Sequence, residues 1–397
     1  MRNTSVLISG AGIAGLAQAY WMDRAGCDVT VVERSPQPRP GGQAIDVRGP
    51  ALTVAERMGI LPGLRELKTD MRGSSAVDAA GNEIYSSTER TFSGGDLDSP
   101  DVEIMRDDLI MLLRNAVGDR VEYLFDDSIA AVAQDEDAVH VTFEGGRTRS
   151  YDLVVGADGL HSNVRRLVFG PESDLLRYLG TYLAVYTAPN FLDLDRWQTF
   201  CMAGSVGGGI MSARGNKEVR VYIGFETDEP IDYDFRDVEA QKRLLAERVG
   251  DVWVFPTALK YMWDAPDFHF DSMSQVQMDH WSRGRVVLLG DAGYCGSPMT
   301  GQGTSMALIG AYVLAGELAA AGGDHRAAFA AYEGELRDFV EKNQALALVH
   351  RERMEKANDP EAEIQGYEEG LERLNDVVNS LTLKDYGFGD EPANVRR

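Results

Sequence analysis

The chain has 397 residues, 44% hydrophobic and 26% charged, a length and composition that predict two or three domains of an ordinary globular protein. Its 63 acidic residues outnumber 39 basic ones, and the formal charge of −24 repels phosphate backbones and argues against nucleic acid as a partner.

Cys27, Cys201 and Cys295 are far apart and lack metal-ligand spacing, so reduced thiols and no metal site are expected. The first apolar run, Val6 to Ile8, is too short for a secretory signal. No uninterrupted apolar segment is expected to cross a bilayer, and the sequence reads as cytoplasmic and free of membrane.

Val6 to Ile8 predicts a buried parallel strand, followed at once by Gly10-Ala-Gly-Ile-Ala-Gly15 and a helical pattern that Gly26 stops. A second strand, Val29 to Val32, ends at Glu33 and Arg34. In such a unit Gly10 permits the tight turn, Gly12 admits a pyrophosphate to the backbone, and Gly15 brings helix against strand. Glu33, 18 positions after Gly15, is placed to accept hydrogen bonds from a ribose. The unit predicts dinucleotide binding.

Pro36, Pro38, Pro40, Gly41 and Gly42 predict an extended loop, and Gln43 to Gly49 a short strand. Pro50 to Leu67 reads as one helix, and Ser75 to Tyr85 as a hairpin turning at Gly81-Asn82. Arg106 opens a helix. A cation there is disfavoured by the helix dipole unless it has an anionic partner, and a cofactor phosphate and plain surface charge are both open readings. Strands are expected at Val121–Phe125, Ile129–Ala133 and Val139–Phe143.

Leu153 to Val155 predicts another buried strand, leading into Gly156-Ala-Asp-Gly159 and a helix capped by Ser162 or Asn163. Asp158 then sits at the carboxyl end of a parallel strand, where doubly wound sheets bind ligands. From Tyr178 to Asp271 apolar and polar residues alternate, predicting an antiparallel sheet interrupted by one helix, Arg236 to Val249. Gly204 to Gly209 reads as a hairpin turn. Gln198, Phe200, Tyr222 and Phe225 are the expected pocket residues, with Trp197 a further aromatic.

Val286 to Leu289 leads into Gly290-Asp-Ala-Gly-Tyr-Cys-Gly-Ser-Pro-Met-Thr-Gly-Gln-Gly303 and a long helix from Thr304. A glycine-rich helix start can hold an electron-rich ring, because free N–H groups point at it. Helix is expected again from Asp324. In the tail Ile364, Tyr367, Leu371, Leu374, Val377 and Val378 recur at helical spacing.

These three motifs together, in this order from about Val6 to Leu318, resemble the single-component FAD-dependent aromatic hydroxylases of the para-hydroxybenzoate hydroxylase fold. The Gly41-Gly42 loop, Asp46, Met105 to Leu109 and the overall length are similar to the tetracycline-inactivating branch. The resemblance implies an α/β protein: a Rossmann-like FAD-binding domain (1–72, 101–172, 275–345), an inserted antiparallel-sheet substrate domain (73–100, 173–274) and a C-terminal helical segment (346–397) bridging the two.

It also implies that Gly10, Gly12, Ala14 and Gly15 hold the pyrophosphate of FAD, Glu33 the ribose, and that Arg34 lies by the adenine. Arg106 would contact the ribityl–phosphate region, Asp291 a ribityl hydroxyl, and Asp158 both FAD and an approaching NADPH or NADH. Pro298, Gly301, Gln302 and Gly303 would support the flavin ring, with no side chain assigned as catalytic. The implied reaction hydroxylates a polycyclic aromatic or polyketide-like small molecule with NAD(P)H and O2, through a flavin hydroperoxide. The motifs also fit a FAD-dependent reductase or dehydrogenase, and a flavin-binding module without turnover. Gly293-Tyr294 stands where the family often has Ala-His, and Ser305 and Gly310 where it usually has Asn and Asp.

Overall fold

Four short apolar runs from distant parts of the chain become adjacent parallel strands. In the computed structural model, which describes residues 1, 4–37, 41–234, 236–354 and 373–388, Ser5–Ser9 pairs with Asp28–Glu33 on one side and Leu153–Gly156 on the other. Leu153–Gly156 pairs in turn with Val286–Leu288, while Glu122–Phe125 and Ser282–Arg283 close the two edges of this six-stranded sheet. Val6, Leu7, Ile8, Val154, Val155 and Val287 are fully buried, as a strand covered on both faces requires.

Helix Ile13–Arg24 and helix Gly303–Ala320 cover this sheet and pack on each other, with Trp21 and Tyr312 edge to face at 5.0 Å. Gly303–Ala320 is long and apolar enough to cross a membrane by length and composition, which the sequence reading did not expect. It is apolar all round because it packs against Ile13–Arg24, Pro50–Arg57 and His325–Met354.

A seven-stranded sheet forms the second layer, in the order His269–Val276, Leu176–Pro189, Glu218–Glu226, Val206–Ala213, Trp197–Ala203, Gly73–Val77, Glu83–Ser87. Strand parity divides its faces. Val219, Val221, Ile223 and Phe225 join the core beneath helices Val238–Val249 and Phe255–Met262, and Tyr222 points to the opposite side. Short strands Ala44–Val47 and Val102–Met105 pair antiparallel between the two layers.

Local detail departs from the sequence reading in three places. The helix expected over Pro50 to Leu67 is two helices, Pro50–Arg57 and Leu61–Glu66, broken at Gly59 with φ +75. The single helix expected in the inserted sheet is followed by a second, Phe255–Met262, which Pro256 starts in its first turn. Gly204 does turn the chain, but Val206 to Gly209 continue as strand. Pro38 and Pro40 of the expected loop, and Ile364, Tyr367 and Leu371 of the expected tail helix, lie outside the described residues; residues 373–378 are helical.

Candidate active site

The three glycine- and acid-bearing loops leave the same edge of the parallel sheet. Ser9 is in register with Val32 and Gly156, and Gly156 with Leu288, so Gly10, Glu33, Asp158 and Asp291 all lie at or just beyond the carboxyl ends of neighbouring strands. Ser5–Ser9 lies between a later strand on each side, a topological switch point where open sheets bind ligands.

The first loop is packed as tightly as backbone allows. A Cβ on Gly10 would lie 2.5 Å from the Ala157 carbonyl oxygen, and one on Gly15 would lie 1.9 Å from the carbonyl oxygen of Gly10. At Gly12 the same atom meets nothing within 4 Å, so this glycine borders open space. Gly12 also begins helix Ile13–Arg24 without a side-chain cap, leaving the helix's positive end to an external acceptor. Glu33 braces the turn, accepting from the Ala11 amide at 2.8 Å and the Ser35 amide at 2.9 Å. Each of its oxygens keeps a lone pair for a hydroxyl. Arg34 beside it is exposed.

Asp158 accepts from the hydroxyls of Ser9 and Ser162 and from the Val164 amide, and burial pushes its carboxyl above the ordinary carboxylate range. The hydroxyl of Ser162 also accepts from the Arg165 amide, so the expected cap of helix Asn163–Val168 is Ser162. Arg106 is half-buried, donating from Nη2 to the Gly41 carbonyl at 3.3 Å.

Gly290, at φ +63, brings the third loop between two helix starts. A Cβ there would lie 3.1 Å from Cβ of Ala14 and 3.7 Å from Cβ of Ala307. Helices Ile13–Arg24 and Gly303–Ala320 therefore aim their N-termini at one locality, and no side chain caps the second. Asp291 lies there half-buried, its Oδ1 3.7 Å from where a Cβ on Gly303 would be, and burial raises its carboxyl. Pro298 and Gly301 are exposed at the surface of this wall, while Gln302 is buried with both side-chain polar atoms lacking a partner among the described residues. Ser297 before Pro298 is held at φ +78, a strained conformation for a residue with a side chain.

The two uncapped helix starts, the open space at Gly12 and the acid between them suit a cofactor with an anionic pyrophosphate, polyhydroxyl chain and electron-rich ring. The residues present fit FAD.

Between this wall and the seven-stranded sheet is a cavity of about 430 Å³. Pro298, Met299, Gly301 and Gly303 line one side, and Phe92, Phe200, Tyr222 and Leu183 the other. Register places Phe200, Gly209 and Tyr222 in one row across three strands. A Cβ on Gly209 would lie 2.5 Å from the Phe200 ring, so the bare strand lets that ring lie flat. Phe92 stands 5.2 Å from Phe200, and Tyr222 6.5 Å, making an aromatic shelf. The Tyr222 hydroxyl accepts from the Ala44 amide at 3.0 Å, and burial pushes its phenol far up.

The other two expected pocket residues do not line the cavity. Gln198 is fully buried behind it, holding Ser93 of the loop that carries Phe92. Phe225 points to the far face by strand parity and stacks on Tyr182 at 5.5 Å. Trp197 donates to the Ser75 hydroxyl at 3.1 Å.

Several residues that line the cavity are not among the expected pocket residues. Asp46 and Arg48 form a buried ion pair at 3.0 Å, 6% and 5% exposed, with Oδ1 of Asp46 and Nε of Arg48 unpartnered among the described residues. Burial outweighs the pull of Arg48 and pushes the Asp46 carboxyl up to about 7. Ser305 ties this pair to the helix start: its hydroxyl accepts from the Arg48 amide at 3.0 Å. Asp271, His269, Leu346, Arg373 and Leu374 complete the lining. Asp46 stood in an alternating run that hinted at one buried face; Asp271 carried no local signal.

Residues 373–378 are seated by the segment after them. Lys384 pairs with Glu317 at 2.9 Å and Glu335 at 2.8 Å, and Tyr386 donates to Glu317 at 2.7 Å. No group of three or more His, Cys, Asp or Glu suited to a metal ion occurs among the described residues.

Comparison with known proteins agrees with this geometry. A family model described as FAD binding domain matches residues 3–347. An uncharacterised protein of Mycobacterium tuberculosis (strain CDC 1551 / Oshkosh) is 54% identical over 96% of this chain and 100% of its own length. A flavin-dependent monooxygenase of Legionella longbeachae serogroup 1 (strain NSW150) is 36% identical over 97% of this chain and 99% of its own. The crystal structure of tetracycline destructase Tet(51) superposes with a TM-score of 0.88 at 36% identity, covering 97% of this chain and 100% of that one.

Proposed function

The chain belongs to the FAD binding domain family as a flavin-dependent monooxygenase, and from that premise we propose that it uses NAD(P)H and O2 to hydroxylate a polycyclic aromatic or polyketide-like small molecule of the tetracycline type. The observation that carries this reading is the cavity itself. An aromatic shelf of Phe92, Phe200 and Tyr222 faces the wall that begins at Pro298 and ends at the uncapped start of helix Gly303–Ala320. A planar, electron-rich molecule stacks on such a shelf with low entropic cost and is turned toward that wall. The likeness to a tetracycline destructase supports the substrate class, and antibiotic inactivation over biosynthetic tailoring.

When bound, FAD supplies the redox and oxygen chemistry of a monooxygenation; the chain supplies binding, orientation and exclusion of water. Gly12 and Ala14 would hold the pyrophosphate, Glu33 the ribose, and Asp291 the polyhydroxyl chain. The free amides at the uncapped start of helix Gly303–Ala320 would favour negative charge on the ring. Leu183, Met273, Met299 and Leu374 keep the cavity apolar. The Asp46 carboxyl, at about 7, holds a proton at neutral pH in a good fraction of molecules and can take one up or give one up beside the cavity. The reading also places the protein in the cytoplasm, where NAD(P)H is available.

Purified protein should contain FAD, oxidise NADPH or NADH faster when tetracycline or a related polyketide is added, and release a product heavier by about 16 mass units, one oxygen atom. Turnover of NAD(P)H with no oxygen incorporated into any compound of such a panel would refute the proposal.

A further inference from the structure

His161 stands where the cofactor-side loop meets the sheet that walls the cavity. It follows Asp158 by three residues, on the turn made by Gly159. Its Nδ1 lies 2.8 Å from Oε1 of Glu172, and its Nε2 lies 3.1 Å from both carboxylate oxygens of Asp271. Glu172 belongs to the connector that enters the seven-stranded sheet; Asp271 lies on His269–Val276, the edge strand by which the chain leaves that sheet, and lines the cavity.

Both partners are carboxylates, and a neutral imidazole donates from only one nitrogen. The two contacts are satisfied together only by the imidazolium. Burial opposes that charge, yet the two acids win and push His161 up to about 10. The surrounding charges agree with this balance. Arg165, on helix Asn163–Val168, pairs with Glu172 at 3.1 Å and donates to the Ala292 carbonyl at 3.0 Å, beside Asp291. The Tyr233 hydroxyl reaches Asp271 at 3.3 Å, His269 shares its strand, and the carboxylate of Asp291 also faces it. With His161 and Arg165 charged, Glu172 and Asp271 are balanced; with a neutral imidazole, one carboxylate charge is left uncompensated.

We infer that His161 is a positioning residue, a charged pin between Asp271 and Glu172 that fixes the loop carrying Asp158 against the wall of the cavity. The pin engages both carboxylate oxygens of Asp271 and sets the distance between cofactor loop and cavity wall. The inference rests on the proposed function only for the roles of Asp158 and the cavity; the clamp itself is independent of it.

The test uses the FAD-containing protein. The six histidines are labelled with ¹⁵N, the His161 signals are identified by their loss in His161→Gln, and the ring is titrated by NMR. The expected result is an imidazolium at every pH up to about 9; titration near the ordinary value of about 6.5 overturns the inference. Hydrogen exchange of the amides of 158–162 and 269–272 is then compared in the parent and in His161→Gln. Exchange at least about tenfold faster in both segments is expected, and unchanged exchange in either overturns the pin. If His161→Gln fails to fold, Glu172→Gln, which removes the negative charge at the more exposed end, is read by the same criterion. With tetracycline as probe, His161→Gln should raise KM about fivefold or more with kcat within about twofold, because positioning and not chemistry is lost. A parent that oxygenates neither tetracycline nor any related polyketide of the panel refutes the proposed function alone, since titration and exchange judge the pin without it.

Discussion

The hydroxyl of Tyr294 lies 2.1 Å from where a Cβ on Gly310 would be, so Gly310 is the space that Tyr294 occupies. These are two of the positions where the resemblance implies His and Asp, and in the structure they are in direct contact. The Tyr294 hydroxyl is further held by Tyr332, which donates to it at 3.0 Å and lies within 3.2 Å of the Leu288 carbonyl. Both tyrosines are buried and pack against Trp281.

Gly310→Ala is accordingly expected to destabilise the protein by about 1–3 kcal/mol through overpacking. Tyr294→Phe removes the offending oxygen, and the double variant should recover part of that loss. Urea unfolding of the four proteins in a cycle measures the coupling. Additive effects, with no recovery in the double variant, would show that the two positions are independent.

The glycines of the first loop separate cofactor from fold. Gly15→Ala sets a Cβ 1.9 Å from a backbone carbonyl oxygen that has nowhere to go, and a loss of more than about 3 kcal/mol is expected. Gly12→Ala meets no protein atom within 4 Å. Its stability without FAD should stay within about 0.5 kcal/mol of the parent, while FAD affinity falls at least about tenfold because the methyl stands where a pyrophosphate approaches. Thermal unfolding of the apo proteins and flavin fluorescence titration read the two effects. Equal loss of stability in both variants would remove the distinction.

This contrast marks what was legible in the sequence. Gly10 to Gly15, Glu33, Asp158 and Asp291 could be found because each stands at a fixed offset from an apolar run, and the runs become neighbours in one sheet. The cavity's far side obeys no such offset. Tyr222 and Phe225 are three residues apart in one alternating strand, so parity must send them to opposite faces, and only tertiary packing decides which face meets the cavity. Gln198 precedes Phe200 by two and shares its face, yet the Phe92 loop covers it. Asp271 and His161 are 110 positions apart, and nothing local announces their meeting. The extra helix at Phe255 was hidden by its length of 8 residues, less than the window that periodicity needs.

Asp46 should give the protein a pH dependence of its own. Burial raises its folded carboxyl to about 7 from 3.8, so the folded state favours the protonated form. Its contribution is fully present below about 4 and is lost as pH rises through about 7, on the order of 2–4 kcal/mol. Asp46→Asn cannot ionise, so the difference in urea midpoint between pH 5 and pH 8 should be smaller in the variant than in the parent. The same change should abolish any inflection near pH 7 in kcat/KM. A parent and variant with parallel stability profiles would show that Asp46 is already ionised at pH 5.

The last prediction uses strand parity as its control. Phe200 and Phe225 were both reasonable pocket residues by sequence, but Phe200 lies on the shelf 5.2 Å from Phe92, and Phe225 lies among Tyr182, Phe270 and Val206 beneath the helices. Phe200→Ala should raise the KM for a polycyclic substrate about 5- to 20-fold, the loss of one stacking wall at about 1–1.8 kcal/mol, while stability changes little because the ring borders a cavity. Phe225→Ala should cost about 3–5 kcal/mol of stability by opening a hole in a packed core. Its KM should stay within about twofold of the parent, since no atom of its ring reaches the shelf. Steady-state kinetics and urea unfolding of the two variants make a two-by-two comparison, and a KM effect from Phe225→Ala as large as that from Phe200→Ala would place the substrate on the other face of the sheet.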